Sequence, residues 1–143
     1  MLVIVDYKAG NLKSVERACR EVGVEAEISG DPEKIRQASR LIFPGVGAAG
    51  AAMVSLQETG IDEAIREFFN LGRPVLGICL GLQISLNYSE ENQTKTLDLI
   101  SGEVKKFRLK ETGLKIPHMG WNTLNVIKQH PVLDRIEPRD EFY

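Results

Sequence analysis

Histidine is nearly missing from this chain of 143 residues: there are two, His118 and His130. Cysteine is as scarce, with Cys19 and Cys79 alone. Two cysteines exclude a disulfide framework, and without an export signal a reducing, cytoplasmic setting is expected. The start, Met1-Leu2-Val3-Ile4-Val5-Asp6, lacks the basic stretch and small-residue cleavage site of a signal peptide. No apolar run approaches the length of a membrane span. Charge of one sign is also lacking. The 18 basic and 20 acidic residues leave a net charge of -2, so neither nucleic acid nor an anionic membrane is an expected partner. There is no internal repeat, low-complexity tract or linker. The composition, 43% hydrophobic and 27% charged, fits one globular domain over residues 1–143.

What is present is concentrated in Pro74-Val75-Leu76-Gly77-Ile78-Cys79-Leu80-Gly81-Leu82-Gln83. The run reads as a buried strand, a sharp turn and a helix. Glycines two residues either side of Cys79 give the cysteine form of the nucleophile elbow, whose strained turn pushes the nucleophile out over the sheet. A Cβ at Gly77 or Gly81 would crowd so tight a turn. Cys79 stands at a helix N-terminus, where free N–H groups favour the reactive thiolate. The competing reading is a buried structural cysteine, the usual fate of a free thiol.

Around this run, strand and helix signals alternate. Leu2–Val5 is a short apolar strand, and residues 11–22 carry Leu12, Val15, Ala18, Cys19 and Val22 at helical spacing. Gly23 stops that helix, and Cys19 falls on its inner stripe. Residues 24–28 are a second strand. Asp31 and Pro32 read as N-cap and first position of a short helix. A third strand is Arg40–Phe43, helices follow at 51–56 and 61–71, and the fourth strand is 75–78. The second of these helices turns Ile61, Ala64, Ile65, Phe68 and Phe69 inward. This order predicts an α/β fold, an open and mostly parallel sheet with helices on both faces. Residues 89–96 read as a polar surface loop. After residue 97, short segments punctuated by Gly102, Gly113 and Gly120 predict added antiparallel strands, and His130-Pro131-Val132-Leu133 a turn into one helical piece.

The third strand runs straight into Pro44-Gly45-Val46-Gly47-Ala48. Open α/β sheets bind ligands at such loops. An N–H of Val46 or Gly47, together with that of Leu80, could point at a developing oxyanion. A plain turn that needs glycine for its backbone angles explains the loop alone equally well.

Four runs stand in the order found in class I glutamine amidotransferases: Asp6-Tyr7-Lys8-Ala9-Gly10-Asn11, the 44–47 loop, the 77–83 elbow, and Pro117-His118-Met119-Gly120-Trp121-Asn122. The first and last resemble those of the glutaminase subunits of imidazole glycerol phosphate synthases, and the resemblance spans essentially the whole chain. It implies a flavodoxin-like fold and a reaction that needs no cofactor and no metal. Cys79 would attack the side-chain amide carbon of glutamine, giving a glutamyl thioester and ammonia. Val46 or Gly47, with Leu80, would supply oxyanion donors, and Gln83 and Gly47 would hold the substrate. The ammonia would pass to a TIM-barrel cyclase subunit in histidine biosynthesis. Asn11, Pro117, His118, Met119, Trp121 and Asn122 would lie towards that partner. Trp121 is accordingly expected on a docking surface rather than in the core, with Gly120 permitting close approach.

The sequence departs from the family pattern in three places. Lys8 stands where glycine is expected, and Ile84-Ser85-Leu86-Asn87-Tyr88 is a less usual continuation of the elbow helix. The third is a missing base. A cysteine nucleophile of this kind needs a histidine oriented by a carboxylate, which the family takes from a late histidine-proline-glutamate motif. Here His118 occupies a different family position, and His130-Pro131 continues into valine. The expectation is a chain lacking the family's C-terminal part, inactive alone. Two other readings stay open: a different cysteine-elbow hydrolase using His118 as base, and a non-catalytic module that docks a partner.

Overall fold

A computed structural model describes residues 1–108 and 116–143, which form two compact units, Met1–Lys106 and Phe107–Tyr143. The first unit is built on four parallel strands: β1 (Leu2–Val5), β2 (Ala26–Ser29), β3 (Arg40–Phe43) and β4 (Val75–Gly77), in the order β2-β1-β3-β4. All four residues of β1 are buried, as a central strand covered on both faces requires. β2 begins later than expected. Val24 is taken by the preceding helix end, where its N–H donates to the Cys19 carbonyl at 2.8 Å.

Five helices connect and flank these strands: α1 (Leu12–Glu21), α2 (Pro32–Gln37), α3 (Ala49–Thr59), α4 (Ile61–Asn70) and α5 (Leu80–Ile84). α1 covers one face alone, joining Cys19 to Leu2, Ile4 and Ile42. Its buried strip is narrower than the spacing suggests. Ala18 stands about 100° round the helix from Cys19 and is exposed, and Val22 is a non-helical C-cap at the helix end. The other face is the main core, where Val3, Val5, Leu41 and Phe43 meet Ile35 of α2, Leu56 of α3 and Ile65 and Phe68 of α4. Asp31 caps α2 as expected, its Oδ1 accepting the Glu33 N–H at 2.9 Å, with Pro32 in the first turn. α3 runs to Thr59 and starts two residues before the expected 51, where a distant carboxylate caps it: Glu91 Oε2 accepts the Ala49 N–H at 2.8 Å. A contact 42 residues away leaves no local sequence signal.

The 89–96 stretch is more ordered than a surface loop. It lies within a small sheet of β5 (Tyr88–Ser89), β6 (Thr94–Lys95) and β7 (Glu103–Val104), ordered β6-β5-β7. Ser89 and Thr96 are buried despite their polarity. Their hydroxyls are satisfied by backbone: Thr96 Oγ1 donates to the Leu86 carbonyl at 2.6 Å, and Ser89 Oγ accepts the Glu91 N–H at 3.2 Å.

Among its described residues, the second unit carries an antiparallel pair, β8 (Asn122–Thr123) with β9 (Glu141–Phe142), and a 3-10 turn at Pro131–Leu133. His130 Nδ1 accepts the Val132 N–H at 3.2 Å and so starts that turn. The expected Gly113 turn lies outside the described residues. Among the described residues, no helix is long and apolar enough to cross a membrane.

Candidate active site

The elbow follows directly from β4. Its strand ends at Gly77, Ile78 still donates its N–H to the Phe43 carbonyl at 3.0 Å, and Cys79 then adopts φ 53°, ψ -113°. A side-chain-bearing residue at such angles costs about 1–3 kcal/mol and persists only where its surroundings impose it. Here the glycines impose it. A Cβ on Gly81 would lie 1.8 Å from the Phe43 carbonyl oxygen, and one on Gly77 2.9 Å from Leu82 Cα. The turn is closed by Gly81 N–H to the Ile78 carbonyl at 3.0 Å and Gln83 N–H to the Cys79 carbonyl at 3.1 Å. Cys79 emerges exposed, while Cys19 is buried.

The glycine-rich loop stands beside the elbow, at the end of the adjacent strand β3. Val46 is 59% exposed and Gly47 takes φ 104°, so the loop's outer half faces solvent. Its inner half is packed hard. A Cβ on Gly45 would lie 2.0 Å from Tyr7 Oη, 3.1 Å from Leu80 Cβ and 3.3 Å from Gly81 N. Among the described residues, the N–H groups of Val46, Gly47 and Leu80 make no hydrogen bond. Free donors of both segments therefore stand at the ends of neighbouring parallel strands, where such sheets hold ligands.

A third loop, residues 6–11, braces the second. Asp6 Oδ1 accepts the Lys8 N–H at 2.9 Å, which holds Lys8 at φ 65° without glycine. Gly10, at φ 106°, a backbone that favours glycine, packs in ordinary contact against Gly45. Tyr7 lies beneath, 1% exposed, its ring 5.4 Å from that of Phe43 and its carbonyl accepting the Ser55 hydroxyl at 2.7 Å. Burial, and secondarily the charge of Cys79, push the Tyr7 phenol up to about 12.

Of the residues expected from sequence, the first unit thus gathers Cys79, Leu80, Val46, Gly47 and a half-buried Gln83. Asn11 is exposed and has a structural task, its Oδ1 accepting the Ser14 N–H at the start of α1. Pro117, His118, Met119, Trp121 and Asn122 belong to the second unit. All five are exposed, Met119 at 71% and Trp121 at 65%. His118 Nε2 lies 2.7 Å from the Asn122 amide nitrogen, and Trp121 packs edge-on against Tyr143. Two contributors escaped the sequence reading. Tyr7 was visible only as part of a loop motif, and Glu91 only as one member of a polar run. Among the described residues, no group of three or more His, Cys, Asp or Glu could hold a metal ion.

Comparison with known proteins places these loops in context. Residues 3–138 match the family "Glutamine amidotransferase class-I". The chain is 50% identical over 148 residues to "Imidazole glycerol phosphate synthase subunit HisH" of Nitratidesulfovibrio vulgaris (strain DP4), covering 100% of this chain and 70% of that protein. It is 47% identical over 148 residues to the like-named protein of Desulfovibrio desulfuricans (strain ATCC 27774 / DSM 6949 / MB), covering 100% of this chain and 68% of that one. A solved structure described as "Crystal structure of glutamine amidotransferase" superposes with a TM-score of 0.62 at 19% identity, over 71% of this chain and 54% of its own, a likeness of fold.

Proposed function

This chain belongs to the class-I glutamine amidotransferases, and from that premise we propose that it works as the glutaminase subunit of a cytoplasmic imidazole glycerol phosphate synthase. The observation that carries the proposal is Cys79, exposed at φ 53° between two glycines that admit no Cβ. The Cys79 sulfur, as thiolate, adds to the side-chain amide carbon of glutamine, and the carbonyl electron pair moves to oxygen. The N–H of Leu80 and that of Val46 or Gly47 receive this oxyanion. When the pair returns, the C–N bond breaks, the nitrogen takes a proton and leaves as ammonia, and a glutamyl thioester remains. Water then adds to the thioester, and glutamate departs as the sulfur recovers its electron pair. Gln83, on the first turns of α5, helps to hold the substrate.

The leaving nitrogen must be given a proton and the attacking water must lose one, which calls for a group that serves as acid and then as base, and residues 1–106 contain no histidine. His130 caps a turn, and His118 is engaged with Asn122. The 143-residue chain alone therefore turns glutamine over negligibly. Ammonia passes to a TIM-barrel cyclase subunit, with Asn11 and the exposed 117–122 segment facing that partner. The test is a chimera carrying, after Tyr143, a C-terminal segment taken from the Nitratidesulfovibrio relative, 70% of whose length this chain covers. Mixed with a cyclase subunit, it should release ammonia from glutamine and lose that activity on Cys79→Ala. Substantial turnover by the 143-residue chain alone would overturn the argument from the missing base and promote His118 to candidate.

A further inference from the structure

Among the described residues, Tyr7 Oη is the one buried side-chain oxygen or nitrogen without a hydrogen-bond partner. A hydroxyl so placed gives up its hydration with no protein partner in exchange. Its ring is fixed by Phe43, and the adjoining backbone by Ser55. The hydroxyl points at the seam between the two halves of the proposed oxyanion site. It lies 2.0 Å from where a Gly45 Cβ would be, at the same spot approached by Leu80 Cβ and Gly81 N. The glycine at 45 is thus the complement of the tyrosine at 7.

We propose that Tyr7 is a positioning residue for the oxyanion site: its hydroxyl, wedged against Gly45 beside Leu80 and Gly81, sets the spacing of the glycine-rich loop from the elbow. The inference rests on the glutaminase reading above. Spacing that aligns the N–H donors of the two segments on a developing oxyanion favours the transition state differentially, which is the condition for catalysis. The phenol keeps its proton throughout the neutral range, because burial and the nearby Cys79 charge hold it at about 12. It is therefore an uncharged wedge at every working pH.

The test separates chemistry that makes an oxyanion from chemistry that does not. A γ-aldehyde analogue of glutamine accepts the Cys79 sulfur at its carbonyl carbon; the π pair moves to oxygen and nothing leaves. Iodoacetamide alkylates the same sulfur by displacing iodide and makes no oxyanion. The 143-residue chain and its Tyr7→Phe variant, which keeps the ring, are compared by aldehyde protection of Cys79 against iodoacetamide, beside a thermal melt. The expected result is about tenfold weaker aldehyde binding by Tyr7→Phe, with an unchanged iodoacetamide rate in the absence of aldehyde and a melting temperature no lower. Equal aldehyde binding by both proteins, or equal losses in both reactions, would overturn the role of Tyr7 while leaving the glutaminase reading intact. Wild-type chain that binds no aldehyde would sink the glutaminase reading and this inference together.

Discussion

Residues 1–106 and 107–143 use their apolar side chains in opposite ways. In the first unit Val3, Ile4, Phe43, Leu56, Ile65 and Phe68 are fully buried, and the sheet has helices on both faces. In the second, none of the described residues is buried, and Met119, Trp121, Ile127, Val132 and Tyr143 are all more than half exposed. The first unit draws its stability from its own core. The second carries an amount of exposed apolar surface that suits a partner.

The sharpest way to break this contrast is to cut a large side chain from each unit. Phe68→Ala empties a fully enclosed site under α4 and should lower stability by about 3–5 kcal/mol in urea melts. A loss below about 1 kcal/mol would mean that the core is not where the packing puts it.

A smaller effect reports on the elbow's underside. Tyr7 holds its proton more tightly in the folded chain, at about 12 against the ordinary 10 of the exposed phenol. Its contribution is therefore whole below pH 10 and is lost as the pH climbs through about 12. Melts between pH 9 and 12 should show about 2–3 kcal/mol of alkaline destabilisation that is absent from Tyr7→Phe. The same alkaline loss in both proteins would remove Tyr7 from the account.

Trp121→Ala should have the least effect on folding, within about 0.5 kcal/mol, because the residue is exposed, its ring edge-on to that of Tyr143. In the chimera it should nevertheless weaken cyclase binding, read as a raised dissociation constant. An unfolded variant whose remaining folded fraction binds normally would assign Trp121 to a core and cancel the contrast between the two units.

Much of the first unit was legible because its signals are local. The apolar run of β1, the Asp31-Pro32 helix start and the paired glycines around Cys79 each act over a few residues, and each stands where expected. What was not legible depends on distant partners. The start of α3 needs Glu91, the ordering of 89–96 needs carbonyls at 86 and 87, and the demand for glycine at 45 comes from Tyr7. None of these leaves a periodic or compositional trace. Lys8 is an intermediate case. Its left-handed backbone was implied by the glycine expected there, but the Asp6 carboxylate that lets lysine serve was not.

As a nucleophile set in a glutamine site, Cys79 should respond to that substrate. The most direct test is mass-mapped alkylation of the native chain with limiting iodoacetamide, with and without glutamine. Cys79 should be modified first, Cys19 should be spared, and glutamine, but not asparagine, should slow the reaction at Cys79. Preferential modification of Cys19, or a Cys79 rate indifferent to glutamine, would contradict this role.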